Sequence, residues 1–117
     1  LKTTKCVEVA RLCAERGAVG VTVSTLVEAA YFAKAGIKDI TYAVGIVPGK
    51  LTQAGDLVHD GCDLKIMTDN REVAQAVANF AGSSGLPLKC LIELDCGDHR
   101  GGLRVRNRRF SLVGPIE

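Results

Sequence analysis

The chain is expected to be an α/β protein of alternating β/α units on a parallel sheet, about the first half of a (β/α)8 TIM-type barrel. Three observations predict it. Short apolar runs rich in β-branched residues recur between stretches of helical period, and strands alternating with helices imply right-handed crossovers and parallel pairing. The composition, 47% hydrophobic with no Trp, is that of buried parallel strands packed by Ala-rich helices. The repeat is short and regular with no long insertion, which favours a barrel wall over a doubly wound sheet. A complete barrel takes about 250 residues, whereas this chain has 117.

The elements follow in order. Residues 5–16 place Val9, Leu12 and Cys13 on one helical face, and Gly17 supplies the stop. Residues 19–23 are β-branched and apolar nearly throughout, the pattern of a strand covered on both faces. Thr25 and Glu28 stand at capping-box spacing, so a helix starts there and runs to Gly36. Residues 39–44 form the next strand, 45–49 a Pro-containing turn and 51–59 a helix that ends before Gly61. Residues 63–68 are a strand followed by Asp69-Asn70 as turn and N-cap. A helix over 71–81 is broken by residues 82–85, and residues 88–94 are the last strand. The tail of a further strand is expected before Lys2. Residues 103–117 depart from this pattern, with Arg104, Arg106, Arg108 and Arg109 on no amphipathic period. The expected organisation is a partial barrel domain over 1–102 and an atypical Arg-rich tail over 103–117.

With a net charge of +2 and length for a single core, neither nucleic acid nor a membrane is expected as a partner. No apolar stretch approaches the roughly 20 residues of a membrane span, and no basic-then-apolar leader opens the chain. A cytoplasmic protein is expected. Cys6, Cys13, Cys62, Cys90 and Cys96 form no CxxC pair, which argues for reduced thiols over a disulfide framework or a zinc ribbon. The chain begins at Leu1 as though in mid-strand, and is expected to be a piece of a longer protein.

In parallel α/β folds the ligand site lies at the carboxyl ends of the strands. The polar residues there are Lys2, Thr3 and Thr4; Ser24 and Thr25; Tyr42, one residue inside its strand; Asp69 and Asn70; then Asp95, Asp98, His99 and Arg100. Ser24, Thr25 and Asn70 are first of all helix caps, and Asp69 and Asp95 are ordinary turn formers. At the end of a buried strand Lys2 would meet the desolvation that lowers an ammonium pKa and frees an amine to attack a carbonyl, as a Schiff-base lysine must. Pattern alone favours the plainer reading, a solvated lysine at a chain terminus. Arg100 closes a glycine-punctuated loop, where a guanidinium pairs with a carboxylate or lies beside the ring or an oxyanion of a cofactor. His99 is open to acid or base work. Cys96 with His99 is half a metal site. Lys5 reads as a surface or phosphate-side charge.

The stretches LKTTKCVEVARL, GAVGVTVSTLVEAAYFAKAG, DITYAVGIVPGKL, DLKIMTDN and LIELDCGDHRGG together resemble the amino-terminal barrel of the D-threonine aldolase and D-serine dehydratase family, within the alanine-racemase-like fold of pyridoxal-phosphate enzymes. The resemblance implies pyridoxal 5'-phosphate as cofactor, held as an internal aldimine by a lysine in a His-x-Lys-Thr-His-Lys signature. Lys2, Thr3 and Lys5 match that signature, Thr4 stands where its second histidine usually is, and its first would precede Leu1. The arginine that lies near the cofactor's phenolic oxygen falls on Arg100, and His99 matches a common family residue. The implied substrate is a D-amino acid. Loss of its α-proton and β-hydroxyl gives a keto acid and ammonia, and cleavage between Cα and Cβ gives glycine, with the cofactor as electron sink. The resemblance places a divalent metal only in a carboxyl-terminal domain outside this sequence, so no metal ligand is assigned. A racemase sharing the barrel and the lysine is the alternative enzyme, and a catalytically inert cofactor-binding half-barrel the other alternative. Half a barrel leaves two unpaired sheet edges, so a homo-oligomer is expected.

Overall fold

The structure, a computed structural model, describes residues 4–104. Four helices, α1 (Val7–Glu15), α2 (Leu26–Lys34), α3 (Leu51–His59) and α4 (Arg71–Ser84), alternate with the strands β1 (Val21–Val23), β2 (Asp39–Gly45), β3 (Asp63–Thr68) and β4 (Lys89–Ile92). Two short strands follow, β5 (Leu94–Asp95) and β6 (Leu103–Arg104). The first four strands pair in parallel in the order β1-β2-β3-β4, and β5 pairs in parallel with β6.

Period-2 burial gives the sheet two unlike faces. Ile40 and Tyr42 of β2, with Leu64, Ile66 and Thr68 of β3, are buried. Ile40, Tyr42, Leu64 and Ile66 pack with Leu26, Ala29 and Phe32 of α2, Leu51, Ala54 and Leu57 of α3 and Val77 of α4 in one core. Each fully buried side chain of this kind contributes about 1.5–3 kcal/mol. Helix α2 packs on α3 and α3 on α4, so the three share one face of the sheet. That arrangement, with strands in sequential order, is the wall of a barrel; a doubly wound sheet would split its helices between faces. Gly55 lets α3 and α4 approach, since a Cβ there would meet the Phe80 ring at 2.9 Å.

The other face is charged at its amino end. The register sets Asp39 beside Asp63 and Lys65 beside Lys89. Lys65 Nζ donates to Asp39 Oδ1 (2.8 Å) and Asp63 Oδ2 (3.4 Å), and Lys89 Nζ lies 2.6 Å from Asp63 Oδ1. The Asp39 carboxylate holds the Lys65 ammonium above its ordinary pKa, and the Lys89 ammonium holds the Asp63 carboxyl below its own. Gly20, just before β1, admits this arrangement, because a Cβ there would lie 2.4 Å from the Asp39 carbonyl oxygen.

The caps expected from the sequence form. Glu28 N donates to Thr25 Oγ1 (3.1 Å) and Val73 N to Asn70 Oδ1 (3.1 Å). Four expectations change. The strand over 19–23 shortens to β1, which among the described residues pairs with β2 alone, and Val19 is 90% exposed rather than covered. Helix α4 runs past 81 to Ser84, because Ser83 and Ser84 return their hydroxyls to the Phe80 carbonyl and Gly85 (φ 67°) supplies the left-handed stop. The strand over 88–94 splits at Glu93, where the amide still bonds Thr68 O of the main sheet while the carbonyl already accepts from Leu103 N. Leu103 and Arg104, placed in the tail by the sequence pattern, form β6. The strand tail before Lys2 and the rest of the 103–117 segment lie outside the described residues.

All five cysteines are free. Among the described residues no helix is long and apolar enough to cross a membrane.

Candidate active site

The carboxyl end of β2 is shaped by an irregularity. Thr41 pairs with Lys65 and Gly45 with Met67, so β2 carries extra residues between them. Such a bulge re-aims side chains, and Ala43, Val44 and Gly45 line a cleft of about 690 Å³. Tyr42 turns the opposite way, into the helix layer, where it is buried and its hydroxyl lies 3.3 Å from Lys50 Nζ. It is a core residue and not part of the rim.

At the end of β3 three polar residues divide the work. Thr68 Oγ1 accepts from Asn70 N (3.1 Å), Asn70 caps α4, and Asp69 Oδ2 accepts from Gly102 N (3.1 Å). Asp69 thus joins β3 to a loop 33 residues away.

That loop, residues 96–102, supplies the far wall of the cleft with β5. Asp95 is its hub. Oδ1 accepts from the amides of Gly97 (2.9 Å) and His99 (3.0 Å), Oδ2 meets His99 Nδ1 at 2.9 Å, and Arg104 Nε stands 3.8 Å from Oδ2. The side chain is 4% exposed. The Gly97 amide, then His99, hold its carboxyl below the usual aspartate range. His99 takes a left-handed backbone (φ 49°), uncommon for a non-glycine residue. Its ring is fixed at Nδ1 by Asp95 while the side chain is 69% exposed. Glu93, Leu94, Asp95, Cys96, Asp98, Arg100 and Gly101 complete the lining, so that among its described charged residues Arg100 is the cation and the others are carboxylates.

Of the sequence-predicted site residues, the structure brings Arg100 to the cleft and His99 to the loop beside it. Lys2 lies outside the described residues. Lys5 is committed: its Nζ lies 2.5 Å from Glu28 Oε1, while Glu28 Oε2 accepts from Ser24 N (2.9 Å). Glu28, 15% exposed at its side chain, is held below the usual pKa, first by Lys5 and next by the Ser24 amide. The capping residue therefore also anchors the segment that follows Lys2. Sequence reasoning missed Asp69 and Asp95 as tertiary anchors; the available signal was the place of each at the carboxyl end of a strand, with a glycine-rich loop after Asp95. Among the described residues no three His, Cys, Asp or Glu side chains gather as a metal group would.

Comparison with known proteins fits this geometry. The alanine racemase N-terminal domain family matches residues 2–112. The chain belongs to that family. It is 46% identical over 113 residues to D-threo-3-hydroxyaspartate dehydratase of Delftia sp. (strain HT23), covering 97% of this chain and 30% of that protein. It is 33% identical over 112 residues to D-serine dehydratase of Dictyostelium discoideum, covering 87% of this chain and 28% of that protein. The solved structure of the Delftia dehydratase superposes with a TM-score of 0.86 at 45% identity, over 89% of this chain and 27% of that one. D-threonine aldolase from Filomicrobium marinum shares the fold at a TM-score of 0.76 and 24% identity, over 85% of this chain and 27% of that one. The chain thus spans less than a third of these relatives, and its family places the sheet and helices in the alanine-racemase-like barrel domain.

Proposed function

We propose that the chain is the cofactor-side portion of a pyridoxal-phosphate-dependent lyase that removes the β-hydroxyl and amino groups of a D-3-hydroxy amino acid. The observation that carries this reading is the placement of Arg100 at a strand-end cleft, on a loop fastened to two strands, in a chain 46% identical to a dehydratase of such a substrate. The donor set fits one end of the cofactor. A guanidinium keeps its charge at every working pH and binds an oxyanion through a planar fork, which suits the phenolic oxygen. The carboxylates of Glu93, Asp95 and Asp98 on the same lining suit a phosphate dianion poorly, so the phosphate seat belongs to other residues. A cleft of about 690 Å³ lies within the range of small-molecule sites, about 300–1,000 Å³.

When bound, the cofactor supplies an electron sink for the bond broken at the substrate α-carbon. Lys2 would be the amine that holds the cofactor, and its side chain would take the proton at the substrate α-carbon. Arg100 would hold the cofactor's phenolic oxygen from the cleft lining. His99, fixed through Nδ1 by Asp95, keeps Nε2 free for a hydrogen bond or proton at the cleft rim. A divalent metal, a D-amino acid as substrate and a homo-oligomer complete the proposal for the whole protein, and no metal ligand is assigned here.

The test is to add pyridoxal phosphate, reduce with borohydride and map the labelled lysine. Label on Lys2 is expected; label spread over surface lysines sinks the attachment. In a full-length relative of this chain, ammonia release from a D-3-hydroxy amino acid is expected, and glycine release from D-threonine would move the reading to an aldolase.

A further inference from the structure

Arg100 sits on residues 96–102, which form no helix or strand. Its place is therefore decided by what holds the two ends of that stretch. At the entry, Asp95 Oδ1 takes the amides of Gly97 and His99, and Oδ2 takes His99 Nδ1. At the exit, Gly102 N donates to Asp69 Oδ2 (3.1 Å), and Leu103 N donates to Glu93 O (2.9 Å). Gly102 (φ 93°) is pressed against β5, since a Cβ there would come within 2.6 Å of Asp95 N and Leu94 C.

We propose that Asp95 and Asp69 are positioning residues for Arg100: two carboxylates, one on β5 and one just after β3, that fasten the loop at entry and exit, and so deliver the guanidinium to the cleft in one place. Carboxylates suit this task because each oxygen accepts two bonds, so one oxygen of Asp95 serves two amides and leaves the other for the imidazole. The Asp95 charge is then engaged within the loop, and Arg100 faces the cleft. The functional consequence rests on the reading of Arg100 as the group beside the cofactor's phenolic oxygen. The fastening itself does not.

The test uses the whole chain with Asp69→Ala, Asp69→Asn, Asp95→Ala and Arg100→Lys. Amide hydrogen exchange followed by NMR reads the fastening. In Asp69→Ala the Gly102 amide is expected to exchange about tenfold faster, and Asp69→Asn, which keeps an acceptor oxygen, is expected to recover most of that protection. Asp95→Ala is expected to speed the Gly97 and His99 amides similarly while amides of β2 and β3 hold their rates. Absorbance during titration with pyridoxal phosphate reads the consequence. The pH at which the bound cofactor's band changes is expected to move in the same direction in both alanine variants and in Arg100→Lys. Unchanged exchange in the alanine variants overturns the proposal, as does faster exchange with a band that moves only in Arg100→Lys. A band that moves in none of the variants, Arg100→Lys included, sinks the placing of Arg100 beside the cofactor, and the exchange rates then decide the fastening alone.

Discussion

The amino end of the main sheet and the loop region beyond its carboxyl end each carry a pair of aspartates, and they use them differently. At the amino end Asp39 and Asp63 face Lys65 and Lys89, charge against charge, between strands. At the carboxyl end Asp69 and Asp95 accept mainly backbone amides of a loop. Like charges sit side by side in the ladder and opposite charges lie on the diagonal, so its stability depends on the strands keeping their register. The amide bonds instead set the shape of a segment that has no regular structure to shape it. Side-chain pairs hold strands together; carboxylate-to-amide bonds make a loop specific.

A single methyl group at each end separates the two. Gly20→Ala drives a Cβ into the Asp39 backbone of β2, and is expected to lower global stability in chemical denaturation by about 2–3 kcal/mol. Gly102→Ala meets backbone just as closely, but in a two-residue strand pair whose neighbours are exposed. Its global loss is expected to be smaller, about 1 kcal/mol, with faster exchange confined to residues 94–103. Equal global losses would erase the distinction.

Lys65→Met removes the shared partner of Asp39 and Asp63, and is expected to lower the thermal midpoint by a few degrees at low salt, with the difference shrinking at high salt. Exchange in the 96–102 loop should ignore the same salt change. The pH response sharpens the contrast. The Asp95 carboxyl is depressed in the folded chain, so its contribution is complete above the ordinary aspartate range and is lost as pH falls through the lower folded value. The Lys65 ammonium is raised, so its contribution is complete below the ordinary lysine range and is lost as pH rises through the higher folded value. NMR titration should therefore loosen the Gly97 amide in acid and the β2–β3 amino end in alkali. The smallest effect belongs to Glu28→Gln, which keeps the acceptor for Ser24 N and loses the attraction to the mostly exposed Lys5; a loss of about 0.5 kcal/mol is expected by denaturation.

What the sequence made readable was local. Thr25, Glu28 and Asn70 announce their helices because a cap needs only a few neighbouring residues, and β2 and β3 announce themselves by period and β-branching. The end of α4 was misread because Gly82 looked like a stop, while the serines beside it bond back to Phe80. The break at Glu93 was hidden, since a change of pairing partner leaves no mark on an apolar run. Asp69 and Asp95 kept their roles hidden for the same reason: an aspartate at a strand end looks alike whether it turns the chain or holds an amide 33 residues away. The place of Arg100 on the cleft lining was legible because glycines mark the loop that follows a strand.

The strand order has a consequence for how the molecule is made. Among the described residues, the strands beginning at residues 21, 39, 63 and 89 pair in sequence order, so the seams between β1 and β4 wait for no distant part of the chain. Loop closures are short and similar, which favours fast assembly. During synthesis each described β/α unit can settle on the one before it as it leaves the ribosome, and the Arg100 loop is the last described piece to follow.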